Sequence, residues 1–164
     1  MKVLLPVDGS VASLDAVHFA IRLAREGLAL ECVLGNVQPP ASLYEMVVAH
    51  DAELLQSVSG AAGAHALEAA ERLLREAGIA FECEVTSGDA GHRLVEMAER
   101  FGCEMVVMSA RGMGALRQAL VGSVSQSVLH ASRVPVLIVK PPAEPEAEPD
   151  ELAEALADAE PAPG

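Results

Sequence analysis

Aromatic residues are almost absent from this chain, which has no Trp, one Tyr and three Phe among 164 residues. Their scarcity argues against a surface on which nucleic-acid bases stack. Basic residues are also few, since 11 Lys and Arg face 24 Asp and Glu and leave a net charge of -13. A phosphate backbone would be repelled by such a chain. We therefore expect an aliphatic core and no nucleic-acid partner.

Long apolar runs are missing as well. No stretch reaches the roughly 18 apolar residues of a membrane span, and after Lys2 the chain enters a short strand pattern, without the longer apolar region of a signal peptide. Cys32, Cys83 and Cys103 lie far apart without a Cys-x-x-Cys motif, and five scattered histidines show no metal-ligand spacing. We predict a cytoplasmic protein with reduced thiols, no membrane association and no metal site.

Short apolar runs alternate with helical patterns along the chain. Strands are predicted at 2–7, 30–37, 79–86, from about 103 to 108, and at 136–139. Helices are predicted after Ser10, across 43–77 with an interruption at 57–63, at 90–101 after Asp89, and at 124–132. The first has a predicted apolar face of Val11, Leu14, Val17, His18, Ile21 and Ala24. This alternation predicts an α/β fold, a three-layer doubly wound sheet of five parallel strands joined by right-handed crossovers.

One stretch carries the clearest chemical signal. Met108-Ser109-Ala110-Arg111-Gly112 is followed by nine residues and then by Gly122-Ser123, where the last helix is predicted to begin. A glycine loop lets a ligand approach the main chain, and the N–H groups and positive dipole end of a helix attract anions. The pattern therefore indicates an anion site that would suit a phosphate.

The same stretch resembles the nucleotide-binding signature of the universal stress protein family, in which Gly, two residues, Gly, nine residues and Gly-Ser or Gly-Thr bind ATP. Gly112, Gly122 and Ser123 match it, whereas Ser109 stands at the first glycine. The resemblance covers residues 1–140 and implies an adenine nucleotide alpha-hydrolase-like fold with strand order 3-2-1-4-5. It also implies a non-enzymatic stress-response protein that binds ATP or another adenine nucleotide, with Mg²⁺ as a possible companion ion.

With that strand order, the topological switch point falls between the carboxyl ends of strands one and four, where ligands of open α/β sheets bind. By resemblance, Asp8 and Val37 would hold the adenosine end, and Gly112 with the start of the last helix would hold the phosphates. Asp8 could instead serve only as a turn residue. The full predicted nucleotide site is Pro6, Val7, Asp8, Val37, Met108, Ser109, Arg111, Gly112, Gly122, Ser123, Val124 and Ser125.

Enzymatic motifs are weak in this sequence. It has no Gly-Lys-Ser/Thr phosphate loop, and its only lysines, Lys2 and Lys140, lie outside the glycine loop. Two alternatives remain beside nucleotide binding. One is a dimeric stress-response scaffold whose pocket is narrowed by Ser109, and the other is a hydrolase or transferase of an adenosyl substrate, for which the sequence offers no evident catalytic base.

The C-terminal part raises two further expectations. The apolar strand within 134–139 lies at a sheet edge in the inferred order, and by resemblance it would pair with a second copy into a homodimer. Residues 141–164 are rich in Pro, Ala and Glu, and the part from Ala143 onward has eight acids and no base. We predict a disordered acidic tail. It could be purely solubilising, or it could bind a partner through Leu152 and Leu156.

Overall fold

The computed structural model describes residues 1–40, 52–110 and 121–140. Within these ranges the chain alternates between strands and helices, and the sheet has five strands. The elements in order are β1 (Lys2–Pro6), α1 (Leu14–Arg25), β2 (Glu31–Gln38), α2 (Ala52–Glu76), β3 (Ala80–Ser87), α3 (Ala90–Arg100), β4 (Met105–Ser109), α4 (Ser123–Ala131) and β5 (Val136–Val139). The predicted α/β order is confirmed, with bounds shifted by one or two residues at most strand ends.

The sheet is parallel throughout and runs β3-β2-β1-β4-β5, which confirms the expected order. The central strand β1 pairs Leu4 with Val33 of β2 on one side and with Val106 of β4 on the other. The chain therefore leaves β1 in one direction and later crosses back to β4. Because parallel strands share a direction, the carboxyl ends of β1, β2 and β4 meet at one edge of the sheet.

Two apolar layers enclose the sheet. Side chains of α1 and α2 pack with Val3, Leu5 and Leu34 on one face, and those of α3 and α4 pack with Leu4 and Val33 on the other. Alternate residues of a strand point to opposite faces, so the uninterrupted apolar runs of β1 and β2 supply both layers. The expected three-layer architecture with an aliphatic core is confirmed.

The predicted interruption at 57–63 is wrong, because α2 is one helix from Ala52 to Glu76. Gly63 is buried on this helix, and an added Cβ would lie 2.3 Å from Val85 Cγ1 and 2.9 Å from Asn36 Oδ1. This glycine therefore allows close packing against β2 and β3. The earlier part of the predicted helix, 43–51, lies outside the described residues.

The first helix also begins later than its apolar pattern indicates. Residues 11–13 form a turn with bonds from Ser13 N to Ser10 O (3.2 Å) and from Leu14 N to Val11 O (3.1 Å). Val11 is consequently 85% exposed, and His18 is exposed as well. The buried face is Ala16, Val17, Ala20 and Ile21.

The last strand spans Val136–Val139, as its apolar run predicts, and leaves out residues 134 and 135 of the broader edge segment 134–139. It begins at Val136 because Pro135 has no N–H to offer, although the Pro135 carbonyl still accepts a bond from Val106 N at 2.9 Å. All four residues of β5 are partly exposed. The predicted acidic tail, 141–164, lies outside the described residues.

Candidate functional site

Asp8 follows β1 at the switch point and organises the turn into α1. Its Oδ1 atom accepts bonds from Ser10 N at 3.0 Å and from Ser10 Oγ at 2.6 Å. Ser10 Oγ in turn accepts a bond from Ser13 N at 3.1 Å, and Gly9 has φ of +86°. This turn fixes the half-buried carboxylate beside Pro6 and Val7, at the carboxyl end of the central strand.

The end of β2 contributes a residue that the sequence reasoning did not select. Asn36 is 2% exposed, donates from Nδ2 to the Val7 carbonyl at 2.7 Å and accepts at Oδ1 from Gln38 Nε2 at 2.6 Å. It thereby ties the ends of β1 and β2 together next to the half-buried Val37. The signal was an amide side chain at a buried position of a strand with an apolar centre, since buried polar groups need partners.

The start of α4 lies against the end of β4. Gly122 N donates to the Ala110 carbonyl at 2.8 Å, and Ser125 Oγ donates to the Ser109 carbonyl at 3.1 Å. Gly122 is the N-cap and provides no side-chain cap, while Ser123 and Val124 are exposed. The first N–H groups of a helix have no acceptor within it. Backbone donors and the positive dipole end therefore face the switch-point edge.

The remaining residues of the predicted site are exposed, buried, or outside the described part of the chain. Ser123 and Val124 lie at the exposed helix start, whereas Ser125 is 4% exposed and its hydroxyl proton is used by β4. Met108 and Ser109, at the end of β4, are 5% and 6% exposed. Arg111 and Gly112 lie outside the described residues. The structure thus brings the ends of β1, β2 and β4 and the start of α4 to one edge.

Lys140 was placed outside the site by the sequence reasoning, yet its backbone lies close to it. Ser109 pairs with Val139, and the Val139 carbonyl accepts a bond from Ala110 N at 2.8 Å. Lys140 therefore directly follows Val139, which is bonded to Ala110, and Ala110 is also bonded to Gly122. This proximity comes from the pairing of β4 with β5, which spacing along the chain does not reveal.

Comparison with known proteins decides the family. Residues 1–140 match the model of the universal stress protein family. The chain belongs to this family. Universal stress protein MJ0531 of Methanocaldococcus jannaschii is 30% identical over 86% of this chain and 82% of its own length. Universal stress protein YxiE of Bacillus subtilis is also 30% identical, over 85% and 98%.

Solved structures agree with the fold of this universal stress protein. The hypothetical protein MJ0577 superposes with a TM-score of 0.73 at 24% identity, covering 87% of this chain and 97% of its own. A universal stress protein in complex with cAMP gives 0.59 at 23%, covering 85% and 96%. An Arabidopsis thaliana family member with AMP bound gives 0.62 at 18%, covering 87% and 93%. At these identities the likeness establishes the fold.

Other reactive groups of this universal stress protein are separate from the switch-point edge. Burial raises the pKa of Cys32 to about 11 and also raises the pKa of Cys103. The bond to Arg93 holds the pKa of Glu96 below its usual value. Among residues 1–40, 52–110 and 121–140, no three His, Cys, Asp or Glu side chains are grouped as metal ligands. No helix in those ranges is both long and apolar enough for a bilayer.

Proposed function

We propose that this universal stress protein binds an adenine nucleotide, with ATP as the first candidate, at the carboxyl ends of β1 and β4. It would act as a binding and signalling protein that does not turn over the nucleotide. The observation that carries the proposal is the uncapped start of α4, tied by Gly122 to the end of β4 at the topological switch point. A phosphate is the ligand that such a helix start favours.

The residues present fit a nucleotide. A Cβ added at Gly122 would have a single neighbour, the Ala110 carbonyl oxygen at 3.5 Å, so the space beside the helix start is open among the described residues. The N–H groups of Ser123 and Val124 and the Ser123 hydroxyl would bind phosphate. Gly112 and Arg111 of the signature belong to the same proposed site. When bound, Mg²⁺ would accompany the phosphates and need few protein ligands.

The adenosine end would lie toward β1 and β2. The Asp8 carboxylate, held by Ser10, would accept bonds from ribose hydroxyls, and Val37 would pack on the base beside Pro6 and Val7. Two relatives of the same fold support this class of ligand, because one was solved with cAMP and the other with AMP. Both ligands contain adenosine and phosphate, which are the two groups that this edge would recognise.

Lys140 adds a positive charge to the proposed phosphate end. Val136 and Ile138 pack on the α3 and α4 side of the sheet, and by alternation residue 140 falls on that same side. The start of α4 lies there too. We expect Lys140→Gln to weaken binding of ATP more than that of AMP, since the attraction grows with phosphate charge.

Nucleotide released by denaturing the purified protein, followed by titration calorimetry of stripped protein with ATP and Mg²⁺, tests the proposal. Asp8→Asn keeps an oxygen for the Ser10 turn but removes the charge, and Gly122→Ala narrows the helix start. Asp8→Asn should weaken binding by roughly tenfold or more, the loss of one charged hydrogen bond, and Gly122→Ala should weaken it because its methyl group occupies space proposed for the phosphates. Gly60→Ala changes a glycine of α2 whose added Cβ would meet no atom of the described residues beyond its own helix backbone, and it should bind as the natural protein does.

The position of Ser109 offers a specific explanation if ATP does not bind to the natural protein. Ser109 is buried at the end of β4 and replaces the first glycine of the signature. If natural protein gives no heat at millimolar ATP whereas Ser109→Gly binds, the nucleotide function is contradicted. The protein would then act as a scaffold through its dimer surface.

The proposed homodimer would form along β5. The carbonyls of Pro135 and Val139 are bonded to β4 and its following residue, so the peptide groups of Val136 and Ile138 face the open edge. Val136→Pro would remove one outward N–H without breaking the ladder to β4. We expect sedimentation equilibrium to show a dimer for the natural protein and a monomer for this variant, with circular dichroism as the control for folding.

A further inference from the structure

The central strand of the sheet ends in a proline, which is an unusual residue for that place. Pro6 is the last residue of β1 and pairs with Gly35 of β2. Proline has no N–H and removes one ladder bond, so within sheets it is found mainly on edge strands and at bulges. Because β1 has a neighbour on each side, one of its two ladders must lose a bond here.

The missing N–H would point toward β4. In parallel strands, the peptide groups of alternate residues point to opposite neighbours. Val7 N donates to a carbonyl of β2 at 2.9 Å, so residue 7 faces β2 and residue 6 faces β4. In the register that pairs Leu4 with Val106, the acceptor for an N–H of residue 6 would be the Val107 carbonyl. The proline leaves this carbonyl without its ladder bond.

The ladder between β1 and β4 ends at this point, although both strands continue. Its last pair is Leu4 with Val106. Beyond that pair, β1 still pairs with β2 through Pro6, and β4 still pairs with β5 through Ser109. The two strands therefore separate from each other while each keeps its outer neighbour.

Side chains bond to the next carbonyls on both sides of the opening. The Ser109 carbonyl, which faces the same way as that of Val107, accepts a bond from Ser125 Oγ of α4 at 3.1 Å. On β1, the Val7 carbonyl accepts a bond from Asn36 Nδ2 at 2.7 Å. These bonds fix the strand ends without joining β1 to β4. An opening thus remains between the two strands at the switch point, with the Val107 carbonyl at its base.

We propose that Pro6 is a positioning residue that keeps this opening free for the nucleotide. The inference rests on the proposed function, in which the ligand extends from Asp8 to the start of α4 and crosses between the two strands. A residue with an N–H at position 6 would donate to the Val107 carbonyl and draw β1 toward β4. The next bond of the restored ladder would join Asp8 N to the Ser109 carbonyl, in competition with Ser125. Both ends of the proposed site would then move.

Pro6→Ala tests this closure directly. In labelled full-length protein, nuclear magnetic resonance should detect a coupling across the hydrogen bond from the residue-6 amide nitrogen to the Val107 carbonyl carbon, and this amide should exchange slowly with solvent. Titration calorimetry with ATP and Mg²⁺ should show an affinity lower by roughly tenfold or more, the loss of about one hydrogen bond. Absence of the coupling would mean that another cause separates the strands, and the proposal would be wrong.

Alanine also removes the proline ring, so the effects of the ring and of the N–H have to be separated. N-methylalanine has neither group. Because Cys32 follows Glu31, the whole chain can be assembled by ligating a synthetic peptide of residues 1–31 to residues 32–164. With N-methylalanine at position 6, it should bind ATP as well as the natural sequence made in the same way. Binding as weak as in Pro6→Ala would assign the effect to the ring and contradict the proposal.

Pro135→Ala provides a matched proline control. Residue 135 also faces β4, since its carbonyl accepts a bond from Val106 N at 2.9 Å. It directly precedes β5, however, and so lies at the amino end of the sheet, away from the switch point. This variant should bind ATP with the affinity of the natural protein.

Two results distinguish a failure of this inference from a failure of the proposed function. Natural protein that binds no ATP, with the coupling present in Pro6→Ala, would contradict nucleotide binding and still confirm that Pro6 separates the strands. Natural protein that binds ATP, with Pro6→Ala binding equally well, would contradict the role of Pro6 and leave nucleotide binding intact.

Discussion

Gly91 of α3 lies directly against Ser127 of α4, so that a Cβ atom added at Gly91 would come within 2.2 Å of Ser127 Oγ and 2.6 Å of its Cβ. At this crossing the Ser127 side chain packs directly on the backbone of Gly91. Because α4 begins at the candidate site, this crossing also helps to set where its first N–H groups point. The contact therefore links packing on one face of the sheet to the geometry of the site.

Gly91→Ala should destabilise the protein by about 1–3 kcal/mol, the usual cost of overpacking, because Ser127 has to move and α4 with it. Urea unfolding followed by circular dichroism measures this change. Gly60→Ala is the matched control, since its added methyl group would meet no described atom within 4 Å beyond the adjoining backbone of its own helix. That variant should be as stable as the natural protein or more stable by about 0.5–1 kcal/mol. Equal losses in both variants would contradict the crossing.

The buried amide of Asn36 leads to a second prediction. In Asn36→Asp, a carboxylate would replace the donor to the Val7 carbonyl, leaving that oxygen unpaired. We expect a loss of about 1–3 kcal/mol at pH 7 in urea unfolding. Burial would raise the pKa of the new carboxyl, so part of the stability should return at pH 5, where its protonated form can donate again. A loss that is equal at both pH values would contradict this explanation.

Cys83 lies exposed on β3, yet partial burial and the nearby Glu71 carboxylate raise the pKa of its thiol to about 11. Alkylation by iodoacetamide at pH 8 should be roughly a hundredfold slower than for a free thiol with a pKa of about 8.5. Its rate should rise about tenfold per pH unit toward pH 10. Glu71→Gln should speed it several-fold, as mass spectrometry of the Cys83 peptide would measure. An unchanged rate would exclude the carboxylate as a cause.

The raised pKa of the Cys32 thiol predicts that the protein loses stability in alkaline solution. Burial, followed by the neighbouring Cys103 and Glu31, raises the pKa of its thiol to about 11, whereas a thiol in an unfolded chain ionises near pH 8.5. The unfolded state therefore loses its proton first, and stability falls as pH rises between these values, by on the order of 3 kcal/mol. Cys32→Ala should have a correspondingly smaller difference in unfolding free energy between pH 8.5 and pH 10.5. Equal differences would contradict the assignment.

Local sequence rules were sufficient for most of the fold. The apolar runs that became β1, β2 and β4, the Asp89 cap of α3, whose carboxylate accepts a bond from His92 N at 2.9 Å, and the glycine at the start of α4 all follow from propensity and hydrogen bonding. The strand order came from the resemblance. Where the rules were wrong, tertiary contacts decided: Gly63 serves packing on β3, and Val11 precedes the helix whose apolar face it was expected to extend.

The candidate site was predictable only in part. The positions of Asp8 in a turn and of Gly122 at a helix start were predictable because both have local signatures, and their roles in nucleotide binding, which came from the resemblance, stay a prediction. Asn36 and Lys140 were missed because their places depend on which strands pair, and that information is absent from spacing along the chain. Ser125 was selected as a hydroxyl near the loop. Its burial, and the hydrogen bond that its hydroxyl donates to the Ser109 carbonyl, result from the packing of α4.

Helix α4 buries only Ser125 and Val128, whereas α1 and α3 bury four residues each. An element with so few anchors opens more readily than its neighbours, and its amide hydrogens exchange sooner. A ligand that bridged the end of β4 and the first turn of α4 would close this opening without changing the sheet. Ligand binding at this edge would then make one helix open less often. A second protein could recognise this difference without any change in overall shape.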